Sequence, residues 1–441
     1  MIRQTLIAFA ALVVLAAPAA AQTRPNIVVI VMDDVGYGDY GSYGAPDIRT
    51  PNVDRLAREG ARFTDFYAAP TCTPTRAALI TGRYQQRVAL EFPIGSPPGG
   101  GRGLTADGRS LPQLLKNNGY ATGLVGKWHL GYRAEQHPNA HGFDYFFGFL
   151  SGLVDYYHHT DQNGNSDLYE NTMPVQVDGY MTDLITERSV KFIDEQAGRP
   201  FFLEVAYNAA HWPFQVPDKP SRAPGNARFV QPHEENTSTR ADYVAMLERA
   251  DQGVGRILET LEKRGLTRNT LVIFTNDNGG EWLSRNAPLY HRKDTLWEGG
   301  IRVPLIMRWP ERIPAGRTES QVGIVMDLTA TILAATSTPI PAETRLDGID
   351  LLPIVTGGAP RVERTLFFRI TQTRQQRAVR QGDWKLLLDA GDVLLFNLRD
   401  DIGERNDLAK DRPEIARRLR PLLAEWEKDV DSEGKGKAAT N

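Results

Sequence analysis

The sequence contains one cysteine, Cys72, in 441 residues. A single thiol cannot close an internal disulfide, so the fold must hold without cross-links. Such a thiol is a liability in an oxidising compartment unless it is buried or chemically converted. Neither sign of charge is in excess: 51 Lys and Arg stand against 54 Asp and Glu, a formal net of −3. Nothing in that balance predicts a nucleic-acid partner, which would need a basic face. Long apolar runs are missing too, apart from one near the N-terminus, so no later membrane span is expected. No internal repeat is visible.

The one long run has a definite anatomy. Arg3 precedes apolar residues 6–17, and Ala19-Ala20-Ala21 supplies small residues before Gln22. This is the three-part pattern of a secretory signal over 1–21. The mature chain is expected to be exported, periplasmic or secreted.

Hydrophobic residues make up 41% of the chain, enough for a full-sized core. Residues 27–32 (IVVIVM), 121–125 (ATGLV), 201–207 (FFLEVAY) and 271–275 (LVIFT) read as short buried strands. Helical patterns lie between them, among them 50–59, ending before Gly60, and 240–264, ending at Gly265. The alternation predicts an α/β domain over 22–335, with a large, mostly parallel central sheet flanked by helices. Beyond about residue 339 the pattern changes. Residues 381–388 and 393–398 read as antiparallel strands and 413–430 as a charged amphipathic helix. These predict a smaller C-terminal α+β domain over 336–431. The polar, Gly/Lys-rich tail 432–441 is expected to lack order. Loops at 95–103 and 213–232 are rich in Pro or Gly.

All four apolar strands run into polar residues at their C-terminal ends. These are Asp33-Asp34, then Gly126-Lys127-Trp128-His129, then Asn208-Ala209-Ala210-His211, then Asn276-Asp277-Asn278-Gly279-Gly280. Open α/β sheets bind ligands at the carboxyl ends of their strands, so the four ends should converge on one site. Asp33, Asp34, Asp277 and Asn278 offer hard oxygen ligands, which suit Ca²⁺ or Mg²⁺ rather than zinc. Each pair, taken alone, also suits an ordinary turn.

Cys72 opens the segment Cys72-Thr73-Pro74-Thr75-Arg76. Thr73 reads as an N-cap and Pro74 as a first helical residue, with the helix stopping near Gly82. Cys72 then lies just before a helix N-terminus, with Arg76 one turn inside, which makes an anion site. Three residues separate the two, against five in the C-x5-R pattern of cysteine phosphatases. Lys127, His129, His211 and Lys293 add groups suited to an anionic substrate, although each alone also reads as a surface or structural residue.

In this order the residues resemble the type I sulfatases of the alkaline phosphatase superfamily. The C-x-P-x-R element is Cys72-Thr73-Pro74-Thr75-Arg76, extended by Leu79-Ile80-Thr81-Gly82-Arg83. Around it stand Arg24-Pro25-Asn26, Asp33-Asp34, Gly126-Lys127-Trp128-His129, His211, Asp277-Asn278-Gly279 and Lys293 with Glu298-Gly299-Gly300. Leu395-Phe396-Asn397-Leu398, Glu404 and Asn406-Asp407-Leu408 look like the family's C-terminal strand and turn. Position 75 is Thr where many members have Ser, and position 294 is Asp where Gly is frequent.

The resemblance implies that a separate maturation enzyme oxidises Cys72 to formylglycine (3-oxoalanine). It implies one Ca²⁺, in preference to Mg²⁺, on Asp33, Asp34, Asp277, Asn278 and the modified Cys72. Lys127, His211 and Lys293 would grip sulfate, with His211 or Lys293 protonating the leaving oxygen. Arg76 and His129 would act on the hydrated aldehyde. The expected activity is hydrolysis of a sulfate ester on a sulfated small molecule or oligosaccharide, carbohydrate or aryl. Asp155, Tyr156, His158 and Trp282, in loops near these elements, are candidates for substrate contact. Competing readings are a phosphonate or phosphodiester hydrolase on the same fold, and an inactive protein that binds sulfated glycans.

Overall fold

The strand 26–32 is apolar and buried along its whole length, because it has parallel neighbours on both edges and helices over both faces. The computed structural model describes residues 24–96, 101–219, 238–372 and 374–438. The expected signal segment, 1–21, lies outside them, as do parts of both Pro/Gly-rich loops. The strands of the main sheet are β1 (Asn26–Met32), β2 (Ala61–Tyr67), β3 (Ala121–Lys127), β4 (Tyr145–Phe149), β5 (Tyr169–Glu170) and β6 (Met173–Pro174). They continue with β7 (Phe201–Ala206), β8 (Thr270–Asn276), β9 (Arg302–Arg308), β10 (Arg317–Glu319) and β11 (Gly323–Ile324). Their order is β10-β2-β9-β8-β1-β7-β3-β4-β5-β6, with β11 also pairing with β2.

The centre, β8-β1-β7-β3-β4, is parallel throughout. Antiparallel pairings begin at β9 on one side and β5 on the other. The four strands read from the sequence are therefore adjacent members of one parallel block. Their polar C-terminal ends share one rim. Helices Met181–Gln196 and Arg240–Lys263 cover one face, with Val28, Ile30, Leu203 and Val272 beneath them. The helices Cys72–Thr81 and Met326–Ala335 cover the other, over Ile27, Val29, Phe202 and Leu271. Among the described residues no helix is long and apolar enough to cross a membrane.

The second sheet is an antiparallel meander of β12 (Thr365–Ile370), β13 (Gln376–Gln381), β14 (Trp384–Asp389) and β15 (Asp392–Asn397). Sequence patterning finds the last two. It misses β13 (QRAVRQ) because its long polar side chains are held by partners elsewhere: Arg380 donates to Asp65 at 2.8 Å and Arg377 to Glu427 at 2.8 Å. This sheet shares one apolar core with the face of the main sheet that carries the helix Cys72–Thr81.

The final helix runs from Pro413 to Ala438. The expectation of a tail without order from 432 is therefore corrected over 432–438. Glu433 accepts from Arg83 (2.5 Å) and Arg87 (2.8 Å), and Asp429 accepts from Arg87 (2.6 Å) and Arg345 (2.8 Å). These ties to distant arginines hold a segment that composition alone marks as unfolded.

Candidate active site

The helix Cys72–Thr81 begins two residues earlier than its cap chemistry suggests. Thr71 is the extended N-cap, and Cys72 is the first helical residue. Thr73 does not cap, because its hydroxyl donates to His129 O at 3.0 Å. The helix ends at Gly82, whose φ of 67° lets its N–H reach Ala78 O. Cys72 thus lies inside the first turn, where backbone N–H groups lack helical partners and favour an anion. It is buried, and burial pushes its thiol pKa up, against the pull of Lys127 and Lys293. The Thr75 hydroxyl accepts from Ala69 N–H (2.9 Å) and donates to Ala69 O (3.3 Å), bonds that a Ser hydroxyl can equally make.

The strand ends bring the predicted acids and cations together. Arg76 Nη2 donates to Asp277 Oδ2 (2.9 Å) and Asp33 Oδ2 (3.4 Å), and its Nη1 donates to Lys127 O (3.1 Å). Lys127 Nζ donates to Asp33 Oδ2 at 2.5 Å. Lys293 Nζ donates to Asp34 Oδ2 at 2.8 Å, and His211 Nε2 lies 3.4 Å from the same oxygen. Asn278 Nδ2 donates to Asp34 Oδ1 at 2.8 Å. All of these side chains are buried. Asp34 and His129 adopt φ of 58° and 56°, a region that costs a non-glycine residue strain and is typical of functional sites. Asp294, where the family often has Gly, has φ 66°. Asp tolerates this region better than most residues, so Lys293 still reaches Asp34.

The acids are crowded. Burial, then the charge of Asp277, raises the Asp33 pKa to about 8 against Lys127 and Arg76. Burial alone would raise Asp34 as well, but Lys293 and His211 hold it below the usual range. Asp33 Oδ1 and Asn278 Oδ1 are buried and accept no hydrogen bond from the protein. Two orphaned hard oxygens among three acids fit a divalent cation, which would relieve both defects. Asp33, Asp34 and His211 also place ligand atoms within 4.8 Å of one another. Gly279 is needed for this packing, since a Cβ there would meet Gly299 O at 1.9 Å.

Both histidines are kept neutral. Burial, then Lys127, drives the His129 pKa well below its normal value, while Ile94 O faces its Nε2 at 3.0 Å. A carbonyl can only accept, so Nε2 carries the proton and Nδ1 keeps its lone pair. That Nδ1 is buried without a partner. Burial, then Lys293 and Lys127, brings His211 down to about 3 against the pull of Asp34, while its Nδ1 donates to Trp212 O at 2.6 Å.

The candidate substrate loop behaves differently from expectation. Asp155 accepts from the N–H groups of Tyr157 (2.8 Å) and His158 (2.6 Å) and from Gln215 Nε2 (2.6 Å). The Tyr156 hydroxyl is buried and donates to Asn208 O (2.7 Å) and His211 O (2.9 Å). The two residues therefore brace the segment that carries His211, and their polar atoms are already committed. His158 is exposed, its Nδ1 3.2 Å from Asp155 Oδ1. Trp282 is half-buried under the Arg292 guanidinium, 4.4 Å from its ring centroid. Sequence reasoning missed Glu281, whose Oε2 is 3.6 Å from Lys293 Nζ. Burial, against Lys293, raises its carboxyl to about 7. Its signal was an acid three residues after Asn278.

Comparisons with known proteins identify relatives of the whole chain. The family profile described as Sulfatase matches residues 25–338, and that of N-sulphoglucosamine sulphohydrolase, C-terminal, matches residues 288–429. N-acetylgalactosamine-6-sulfatase of Canis lupus familiaris is 36% identical over 396 residues, covering 83% of this chain and 72% of that protein. Arylsulfatase J of Mus musculus is 32% identical over 469 residues, covering 93% and 77%. The crystal structure of Ps i-CgsB superposes with a TM-score of 0.83 at 32% identity, covering 92% of this chain and 93% of that one. With a family match over most of its length and these identities, the chain belongs to the sulfatase family of the alkaline phosphatase superfamily and is a sulfuric ester hydrolase.

Proposed function

We propose that this sulfatase, an exported protein, removes sulfate from a carbohydrate, using a formylglycine made from Cys72 by a separate maturation enzyme. The observation that carries the reading is the state of Cys72. It is buried in a helix first turn beside Lys127 and Lys293, with its thiol pushed up rather than activated. A protonated thiol is a poor nucleophile, so the residue suits a precursor better than a finished catalyst. Relatives named N-acetylgalactosamine-6-sulfatase, and a structure of Ps i-CgsB in complex with k-i-k-neocarrahexaose, favour a sugar over an aryl substrate.

A Ca²⁺ held by Asp33, Asp34, Asp277, Asn278 and the modified residue would supply Lewis acidity toward the hydrated aldehyde and sulfate oxygens. The chain's own side chains do the rest. Lys127 and Lys293 neutralise sulfate oxygens, and Arg76 keeps Asp33 and Asp277 in register. The hydrated aldehyde, once maturation has made it, would supply one hydroxyl to attack sulfur while the sulfur–oxygen bond of the ester breaks. Lys293 protonates the departing alcohol oxygen; His211 can share that role only after taking up a proton on Nε2, because its one proton is held on Nδ1 by Trp212 O. His129 Nδ1, with its lone pair free, accepts the proton of the second hydroxyl. Loss of that proton would let the carbon–oxygen bond to sulfate break and the aldehyde re-form.

The reading is tested by assaying the enzyme on a panel of monosulfated sugars, an aryl sulfate and an aryl phosphodiester. Hydrolysis of a sulfated sugar faster than the phosphodiester is expected. The reverse order would establish the phosphodiesterase alternative, and binding without turnover would establish the glycan-binding one. Exhaustive chelation should lower the rate by roughly two orders of magnitude, with Ca²⁺ restoring it more fully than Mg²⁺. Thermal melting should rise when Ca²⁺ is returned, a readout independent of turnover.

A further inference from the structure

Between Asn278 and Lys293, loop residues line a cavity of about 400 Å³, within the range of ligand pockets. Glu281, Ser284, Asn286, Tyr290, His291 and Arg292 contribute to its wall. The loop is held in shape by its own bonds. Asn286 accepts from Gly280 N–H (2.9 Å) and donates to Gly280 O (3.0 Å) and His291 O (3.2 Å), and Ser284 Oγ donates to Glu281 O (2.6 Å). Tyr290 packs edge-on against Trp297 at 4.9 Å, with the Arg405 guanidinium 4.6 Å from its ring centroid. Trp282 fixes Arg292 by stacking rather than by offering its own face to a ligand. A wall set in this way binds without first having to order itself.

Glu281 belongs to two places at once. Its Oε2 is buried beside Lys293 but, at 3.6 Å, accepts no hydrogen bond from the protein. Its side chain is nevertheless 21% exposed and lines the cavity. Lys293 gives its short hydrogen bond, 2.8 Å, to Asp34 and stands in ion-pair range of Glu281 without hydrogen-bonding it. His291 Nδ1 is likewise buried with no partner in the protein. A part-exposed acid, an imidazole, a tyrosine ring and a fixed guanidinium on one wall suit the hydroxyls and ring face of a sugar.

Resting on the carbohydrate reading above, we propose that this cavity seats the sugar bearing the sulfate ester. Glu281 is its specificity-determining residue: it accepts a hydrogen bond from the hydroxyl next to the ester, and a second sulfate at that position has no proton to offer it. An aryl sulfate has no such hydroxyl, which separates binding of the sugar from the chemistry at sulfur.

The test compares wild type with Glu281→Gln, Glu281→Ala and His291→Ala. The substrates are 4-nitrophenyl sulfate, the best monosulfated sugar of the panel, and that sugar with a second sulfate on the neighbouring hydroxyl. The Glu281 variants should raise KM for the monosulfated sugar about tenfold with a much smaller change in kcat. Their sugar-to-aryl ratio of kcat/KM should fall by about the same factor, and discrimination against the disulfated sugar should narrow. His291→Ala should lower the same ratio. Melting curves will show whether each variant is folded. An equal loss on aryl and sugar substrates, carried by kcat, would make Glu281 a counter-charge of Lys293 and overturn the proposal. An unchanged ratio in all three variants overturns it as well. Wild-type enzyme that hydrolyses no sulfated sugar removes the carbohydrate reading itself, an outcome visible before any variant is made.

Discussion

Cys72→Ala should lower kcat/KM on an aryl sulfate by at least about 10⁴-fold, leaving only what binding and charge stabilisation provide. The physical reason lies in what alanine removes. Without the sulfur there is nothing for maturation to oxidise, so no carbon can carry two hydroxyls, one to attack sulfur and one to expel sulfate. The fold should survive. Cys72 is small, and its immediate scaffold is the helix Cys72–Thr81 with Gly82 as its stop, so melting should shift by only a few degrees. Peptide mass spectrometry across Cys72 in the active wild type completes the experiment. The thiol sulfur should be replaced by an aldehyde oxygen. An active preparation in which every Cys72 remains a thiol would falsify the precursor reading while leaving the family assignment intact.

Lys385→Met should destabilise the protein by about 3–5 kcal/mol, the usual cost of stranding a buried charge. Lys385 is buried on β14 and bridges Glu298 Oε1 (2.9 Å) and Glu404 Oε1 (2.8 Å). Glu298 keeps other partners, Tyr67 at 2.6 Å and Arg302 at 3.2 Å. Burial alone would raise its pKa, but Lys385 and Arg302 hold it down at about 2. Glu404 already stands at about 7, raised by burial against Lys385. Removing the lysine lifts Glu404 further above its unfolded value. A carboxyl raised on folding destabilises above its unfolded pKa and not below it, so the deficit should be larger at pH 8 than at pH 5. Urea unfolding at the two pH values measures this, and Glu404→Gln in the Lys385→Met background should recover part of the loss. A deficit under about 1 kcal/mol at both pH values would show that the network is replaceable. The site should feel the change too, because Glu298 opens the segment whose Gly299 O packs against Gly279, next to Asn278.

The parallel block was legible because a strand buried on both faces must be apolar throughout, and its four members could be recognised one at a time. The metal-type residues and cations were legible for a related reason. Asp33, Asp34, Lys127, His129, Asp277 and Asn278 end a strand or follow one directly, so position in the sequence fixes position on the rim. The residues that pair across long distances were not. β13 looked too polar for a strand until Asp65 and Glu427 were seen to hold its arginines. The chain after Ser432 looked unfolded until Arg83 and Arg87 were seen to reach Glu433. Glu281 went unnoticed because its significance is a 3.6 Å approach to a lysine twelve positions away. Asp155 and Tyr156 show the opposite failure: their types suit sugar binding, but only the direction of their bonds reveals that they brace His211.

The sequence by itself determined the α/β order of the main domain, the rim on which the acids and cations gather, and the placement of Cys72 at a helix start. All of these follow from local periodicity and from what comes next in the chain. Only the tertiary structure decided which nitrogen of His129 holds its lone pair free, which carboxylate oxygens lack a hydrogen bond, and where a cavity opens beside Lys293. Those are relations between segments far apart in the sequence, and the direction of a side chain is set by the packing around it.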